Sequence, residues 1–241
     1  DNIDVEYGRN KGLHVFNTPA ASSQSVAELV MAQLFSLVRM TYNANKNMPS
    51  NGATEFKKLK KKYGKGVELR GKTLGIIGFG RIGQSVAQYA LGCGMTVIAH
   101  DPFVPNANIS LSIQGKVIEV TITTTSMEEL IASADFISLH VPKQADGSAV
   151  IDTDELSKMK DGVYLVNAAR GGVIDEDALV EALDNNKVAA CALDVFENEP
   201  TPNEALLKHE KIASTPHIGA ATLEAQDRIG EELANYIISN S

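Results

Sequence analysis

The chain has 241 residues, 44% apolar (AVILMFWYC) and 22% charged, which excludes disordered, fibrous and low-complexity classes and predicts one large domain or two small ones. Its formal net charge of −8, from 22 basic against 30 acidic residues, disfavours nucleic acid as a partner. No apolar run nears the ~20 residues that span a membrane, no export signal opens the chain, and Cys93 and Cys191 lie in apolar surroundings, so a reduced, cytoplasmic setting without disulfides is expected.

In chain order, residues 1–11 read as a short amphipathic element and 13–16 as a short strand that Asn17-Thr18-Pro19 stops. Ser22, Ser23 and Ser25 offer N-cap hydroxyls, and Ser25 with Glu28 has capping-box spacing. Val26, Leu29, Val30, Gln33, Leu34, Leu37 and Val38 then recur at helical spacing. They predict a long helix with one broad buried face, losing its pattern near 43–49. That face suggests a homodimer interface, with a core helix as the plainer alternative. Residues 50–70 are polar and basic and read as connector. Within them KKLKKKYGKG (57–66) holds six lysines in ten positions. A solvated helix end or connector is favoured over an anion-binding patch, since no arginine or aromatic interleaving accompanies Tyr63.

From Lys72 the pattern changes. Thr73–Ile77 is a continuous β-rich apolar run, as in a strand covered on both faces. A glycine-rich turn, a helix to about Leu91 and a strand over 95–100 follow. Further strands are expected at 136–141, 163–167, 189–195 and 212–214, with helices around 127–132, 153–159, 175–184 and 222–238. This alternation predicts an α/β fold, a doubly wound parallel sheet of right-handed βαβ units. Residues 104–125 hold strand-like pieces without an assigned place.

Gly78-Phe79-Gly80-Arg81-Ile82-Gly83 is a G-x-G-x-x-G, weak alone but here set between a strand and a helix. Gly78 makes the turn, Gly80 lets backbone approach a pyrophosphate, and Gly83 lets helix and strand pack closely. The pyrophosphate would sit at the helix N-terminus. Asp101 ends the second strand, 18 residues past Gly83. A carboxylate there suits a ribose diol and repels a 2′-phosphate, so NAD is favoured over NADP.

Three later segments place charge where strands should end: Val166-Asn167-Ala168-Ala169-Arg170-Gly171-Gly172, Asp194-Val195-Phe196-Glu197-Asn198-Glu199-Pro200 and Thr215-Pro216-His217-Ile218-Gly219. Arg170 suits bidentate carboxylate recognition. His217 is the residue type that exchanges protons near neutral pH, and a carboxylate at Glu199 would stabilise its imidazolium form. Singly, each has a plainer reading: a surface salt bridge, a turn acid before Pro200, a satisfied loop histidine.

Taken together, NTPAASSQSVAEL, GKTLGIIGFGRIG, HVP, VNAARGGVIDEDAL, DVFENEP and TPHIGAAT resemble the D-isomer-specific 2-hydroxyacid dehydrogenases, in order and over nearly the whole chain. The resemblance implies a Rossmann-like NAD-binding domain and catalytic roles for Arg170, Glu199 and His217. It implies cofactor contacts from Gly78, Gly80, Arg81, Ile82, Gly83, Asp101, Val141, Ala168, Ala169, Asp194, Gly219 and Ala220, with Asp194 on the nicotinamide carboxamide. The reaction implied is reversible hydride transfer between NAD and a small D-2-hydroxy acid, without a metal. DNIDVEYGRNKG and NTPAASSQSVAEL point within the family to 3-phosphoglycerate, and so to serine biosynthesis. Another D-2-hydroxy acid, or reduction of a 2-oxo acid, is the alternative. The same fold also serves NAD-sensing corepressors, a non-enzymatic alternative against which the full Arg–Glu–His set speaks.

The family's substrate domain is built from segments before and after this span. Residues 1–18 are therefore expected to be a remnant of that domain, 19–221 the dinucleotide-binding domain, and 222–241 a helix returning toward the substrate domain. Such a piece is expected to bind NAD with weak or no turnover by itself. Residues 104–125 and 143–150 depart from the family's spacing.

Overall fold

The computed structural model describes residues 3–18 and 20–239. In chain order the elements are α1 (Val5–Asn10), α2 (Ser23–Arg39), α3 (Thr41–Tyr63), β1 (Thr73–Ile77), α4 (Arg81–Gly92), β2 (Thr96–His100), β3 (Asn106–Ile113), β4 (Lys116–Thr123), α5 (Met127–Ser133) and β5 (Phe136–Leu139). There follow α6 (Thr153–Lys158), β6 (Val163–Asn167), α7 (Glu176–Asp184), β7 (Val188–Leu193), α8 (Glu204–Lys208), β8 (Ile212–Ser214) and α9 (Leu223–Ser239).

The apolar β-rich runs pair in parallel as one sheet, ordered β2-β1-β5-β6-β7-β8. Helices cover both faces, which is why these strands are apolar throughout rather than alternating. One core joins α2 and α4 to the sheet through Leu34, Val86, Phe136 and Val166. The other joins α5, α6 and α7 through Leu130, Ile137, Leu156 and Leu179. The winding reverses at β1, which pairs with β2 on one side and β5 on the other. A ligand cleft belongs at such a reversal, outside the carboxyl ends of the strands. The expected α/β, doubly wound parallel architecture is the observed one.

Several local expectations are corrected. Residues 13–16 form no strand; Phe16 instead stacks on Tyr236 of α9, with ring centroids 3.7 Å apart. The stop at Pro19 and the start at Asp1 lie outside the described residues. Helix α2 begins at Ser23 and Ser25 does not cap it; its buried hydroxyl shares a 2.8 Å hydrogen bond with Thr222. The chain turns at Met40 in the left-handed region (φ 50°) and re-enters a helix, so 50–63 is not connector. Pro49 sits inside α3, and a kink falls at Glu55. The lysines of 57–62 close that helix, where cations suit the macrodipole, and all are exposed.

Residues 106–123 form an antiparallel hairpin turned at Gln114-Gly115, apart from the main sheet. Ile109 and Ile122 fasten it to the core beside α4. The strand expected over 136–141 ends at Leu139, and that over 189–195 spans Val188–Leu193. Helix α8, capped by Asn203, was not expected. No helix among the described residues is long and apolar enough to cross a membrane.

Candidate active site

Every residue singled out for chemistry follows the carboxyl end of a strand, so the parallel sheet brings them to one edge. The glycine turn leaves β1. Gly78 has φ +92°, and a Cβ there would lie 2.5 Å from His140 O. A Cβ on Gly83 would lie 2.2 Å from Gly78 O, so helix and turn touch as the motif requires. A Cβ on Gly80 meets nothing within 4 Å. Open space there, beside an α4 N-terminus with no side-chain cap, is a cradle that fits a pyrophosphate. Arg81 and Ile82 open that helix, Arg81 exposed and Ile82 half-buried.

Asp101, after β2, accepts from Phe79 N–H at 2.7 Å through Oδ2 and from Phe103 and Val104 N–H at 2.8 and 3.2 Å through Oδ1. A carboxylate offers about four acceptor sites, so one remains for a ribose hydroxyl. Val141, after β5, is half-buried, and Ala168 and Ala169, after β6, are nearly buried. The residues present therefore fit a dinucleotide.

The catalytic candidates meet at the other end of this edge. His217 Nδ1–H donates to Glu199 Oε2 at 2.8 Å, and Glu199 Oε1 accepts from Phe196 N–H at 2.9 Å. Arg170 shares with them a cleft of about 730 Å³ whose walls include Lys143, Gly171 and Phe196. Arg170 Nη1 donates to Ala169 O at 2.7 Å. Burial raises the Glu199 carboxyl, but the His217 and Phe196 hydrogen bonds and the charges of His217 and Arg170 outweigh it. The net result lies below the usual carboxylate range, so Glu199 stays ionised beside His217.

The chain is similar to known proteins over nearly its whole length. Residues 31–219 match the family model "D-isomer specific 2-hydroxyacid dehydrogenase, NAD binding domain". The chain belongs to that family. Its members are NAD-dependent oxidoreductases acting on CH–OH, and this chain carries their NAD-binding domain. A hydroxypyruvate reductase of Thermotoga maritima is 45% identical over 240 residues, 98% of this chain and 73% of that protein. A D-3-phosphoglycerate dehydrogenase of Methanocaldococcus jannaschii is 42% identical over 237 residues, 98% of this chain and 43% of that protein. The crystal structure of a glyoxylate reductase from Paecilomyes thermophila superimposes with a TM-score of 0.82 at 34% identity, covering 99% of this chain and 68% of that one. The chain thus spans less than half of the phosphoglycerate dehydrogenase and about three quarters of the hydroxypyruvate reductase.

Within this family site, sequence reasoning missed the supports. Asn167 is buried; its Nδ2 donates to Arg170 O and its Oδ1 accepts from Ala169 N–H, both at 3.0 Å. Gly171 is packed so tightly that a Cβ would lie 1.8 Å from Phe196 O, which sets the Arg170 loop against the Glu199 loop. The signal for it was the Arg-Gly-Gly run itself. Asp194, buried at 1% exposure, accepts from Thr215 Oγ1–H at 2.6 Å, Ile218 N–H at 2.9 Å and Gly219 N–H at 2.8 Å. It fixes the loop that presents His217 and leaves one acceptor site for the expected carboxamide. Gly219 lies buried against this carboxylate, and Ala220 is exposed beyond it.

Proposed function

We propose that this chain provides the cofactor site and the proton-handling side chains for hydride transfer between NAD and a D-2-hydroxy acid, with 3-phosphoglycerate as the substrate. The observation that carries the reading is the 2.8 Å His217–Glu199 pair facing Arg170 across one cleft. When bound, the nicotinamide supplies the hydride acceptor or donor. The chain's own residues do the rest. Arg170 pairs with the substrate carboxylate and polarises the oxygen at C2. His217 commits Nδ1 to Glu199, which leaves Nε2 to take the hydroxyl proton in oxidation and return it in reduction. Ionised Glu199 fixes the ring's tautomer and stabilises the imidazolium that forms. Gly78, Gly80, Arg81, Ile82, Gly83 and Asp101 would hold the adenosine and pyrophosphate. Val141, Ala168, Ala169, Asp194, Gly219 and Ala220 would hold the nicotinamide end.

A second reading, reduction of hydroxypyruvate or glyoxylate, is favoured by the 45% identity to a hydroxypyruvate reductase. Assays separate the two: NADH formation from 3-phosphoglycerate and D-glycerate, and NADH consumption with hydroxypyruvate and glyoxylate. No turnover of any D-2-hydroxy or 2-oxo acid by protein that still binds NADH would overturn both.

We further propose residues 1–18 as a remnant of the substrate domain, 19–221 as the dinucleotide-binding domain and 222–241 as a helix returning toward the substrate domain; the Phe16–Tyr236 stack supports that return. The apolar face of α2 that suggested a homodimer is packed in the chain's own core, the plainer alternative, so a homodimer is proposed here on exposed Phe35, Met48 and Phe56 of α2 and α3 instead. Light scattering at monomer mass would remove it. A cytoplasmic location rests on two free cysteines, Cys93 and Cys191.

A further inference from the structure

The buried face of α2 is apolar from Val26 to Val38 with a conspicuous interruption. Gln33 is only 5% exposed, yet it carries an amide where Leu34, Leu37 and Val30 carry hydrocarbon. Burying an amide is unfavourable unless it is hydrogen-bonded. Gln33 Nε2 donates to Thr215 Oγ1 at 3.1 Å. Thr215 Oγ1–H in turn donates to Asp194 Oδ1 at 2.6 Å, a direction fixed by the carboxylate, which only accepts. The same carboxylate takes the N–H groups of Ile218 and Gly219. The hydrogen bonds at Thr215 on one side and at Ile218 and Gly219 on the other thus bracket His217 in sequence. His217 has φ +54°, a left-handed conformation that a non-glycine residue keeps only when its surroundings impose it. Its ring is half exposed, so little packing holds it in place.

We infer that Gln33 is a positioning residue for the reaction: through Thr215 and Asp194 it holds the 215–219 loop so that His217 meets substrate in register. This rests on the reading of His217 as the proton-exchanging group. The amide's own cost supports a role beyond packing. Gln33 Oε1 is buried with no partner among the described residues. Leucine at that position would remove an unpaired acceptor and match its neighbours, so stability alone favours leucine.

The test compares Gln33→Leu, Thr215→Val and Thr215→Ser with the unmodified chain. Gln33→Leu is expected to melt no lower than the parent, while kcat falls roughly three- to tenfold, the range set by one hydrogen bond. The rates are compared at saturating NAD, because Asp194 and Gly219, at the nicotinamide end of the proposed cofactor site, belong to the same hydrogen-bonded loop. Thr215→Val, which also removes the Asp194 hydrogen bond, lowers kcat at least as far, adding Gln33→Leu to it costs nothing more, and Thr215→Ser keeps the parent rate. Amide hydrogen exchange at Ile218 and Gly219 speeds up in Gln33→Leu without changing in β1, a readout that needs no turnover. The inference is overturned if Gln33→Leu keeps both kcat and slow exchange, or if it melts several degrees lower at unchanged kcat. An active Gln33→Leu beside an inactive His217→Ala would sink this inference alone; an active His217→Ala would sink the catalytic reading beneath it.

Discussion

Replacing Gly171 by alanine tests whether the Arg170 and Glu199 loops owe their spacing to one missing side chain. A Cβ at 171 would lie 1.8 Å from Phe196 O, 2.0 Å from Phe196 C and 2.6 Å from Glu197 N. All three are backbone atoms, so no side chain can rotate out of the way. Relieving the shortest contact from 1.8 to 3.0 Å moves the loops apart by about 1.2 Å. Overpacking of this kind costs about 1–3 kcal/mol, a fall in Tm of roughly 2–12 °C for a chain of this size. The catalytic effect is larger, because a shift near 1 Å between reacting groups costs on the order of 10²-fold in rate. Steady-state NADH formation at saturating NAD, thermal melting and NADH fluorescence together read the outcome. Expected are a kcat at least about 10²-fold lower, a modest drop in Tm and nearly unchanged NADH binding. Gly172→Ala is the control. Its Cβ would meet only side-chain atoms at ordinary contact distance, the end of Lys143 at 3.4 Å and Glu197 Cγ at 3.8 Å, so its cost is the strain of φ +76°, about 1–2 kcal/mol. Parent-like kcat in Gly171→Ala, or greater damage from Gly172→Ala, would refute the reasoning.

Other outcomes follow from the same geometry. His217→Ala is expected to lower kcat by about 10²–10⁴-fold, and an intact variant turning over at the parent rate would remove the general-base role. Arg170→Lys should raise KM and lower kcat, since a point charge cannot reproduce a planar fork; unchanged constants would count against carboxylate binding there. Gly80→Ala fills open space, so it should fold as the parent does while weakening NAD on the order of tenfold; a parent-like KM for NAD would argue against the cradle. Finally, burial lowers the His140 imidazole from 6.5 to about 3. The unfolded chain takes up that proton below pH 6.5 and the folded chain does not until about pH 3, so stability falls through this window by roughly 1.4 kcal/mol per pH unit. Urea titrations of His140→Gln between pH 6 and 4 should show a slope flatter by one proton, and an unchanged slope would contradict this assignment.

The nucleotide half of the molecule was legible because it is local. β1, the glycine turn, α4 and β2 lie within about thirty residues, and each signal, from the apolar run to Asp101, acts on its sequence neighbours. Helix α3 was not legible, because Leu59 is its one buried residue and a polar helix leaves no apolar period to read. Pro49 further disguised it. The hairpin did leave a trace: Ala107, Ile109 and Leu111 alternate with polar residues, opposite Ile122, Val120 and Ile118, around Gln114-Gly115 with φ 48° and 78°. Its outer face is not covered, so it lacks the continuous hydrophobicity that marked the parallel strands. Residues 13–16 erred the other way, with strand-like composition but no strand to pair with.

The catalytic half was legible in its charges and not in its supports, and the reason bears on how the site works. Glu199 and His217 keep 36% and 52% of their side-chain surface, and an ion pair so exposed contributes at most about 1 kcal/mol. Attraction between the carboxylate and the imidazole is therefore too weak to set their geometry. The backbone sets it instead. Phe196 N–H fixes one oxygen of Glu199, Gly171 presses the Arg170 loop against the Phe196–Glu197 peptide, Asn167 holds Ala169 N–H and Arg170 O of that loop, and Asp194 gathers Thr215, Ile218 and Gly219 beneath His217. These supports are small or polar residues whose partners lie up to 182 residues away, as Gln33 lies from Thr215. No local periodicity can announce them. On the proposed roles the division also separates stability from chemistry: the groups assigned to the reaction lie half in solvent, while the groups that hold them are buried.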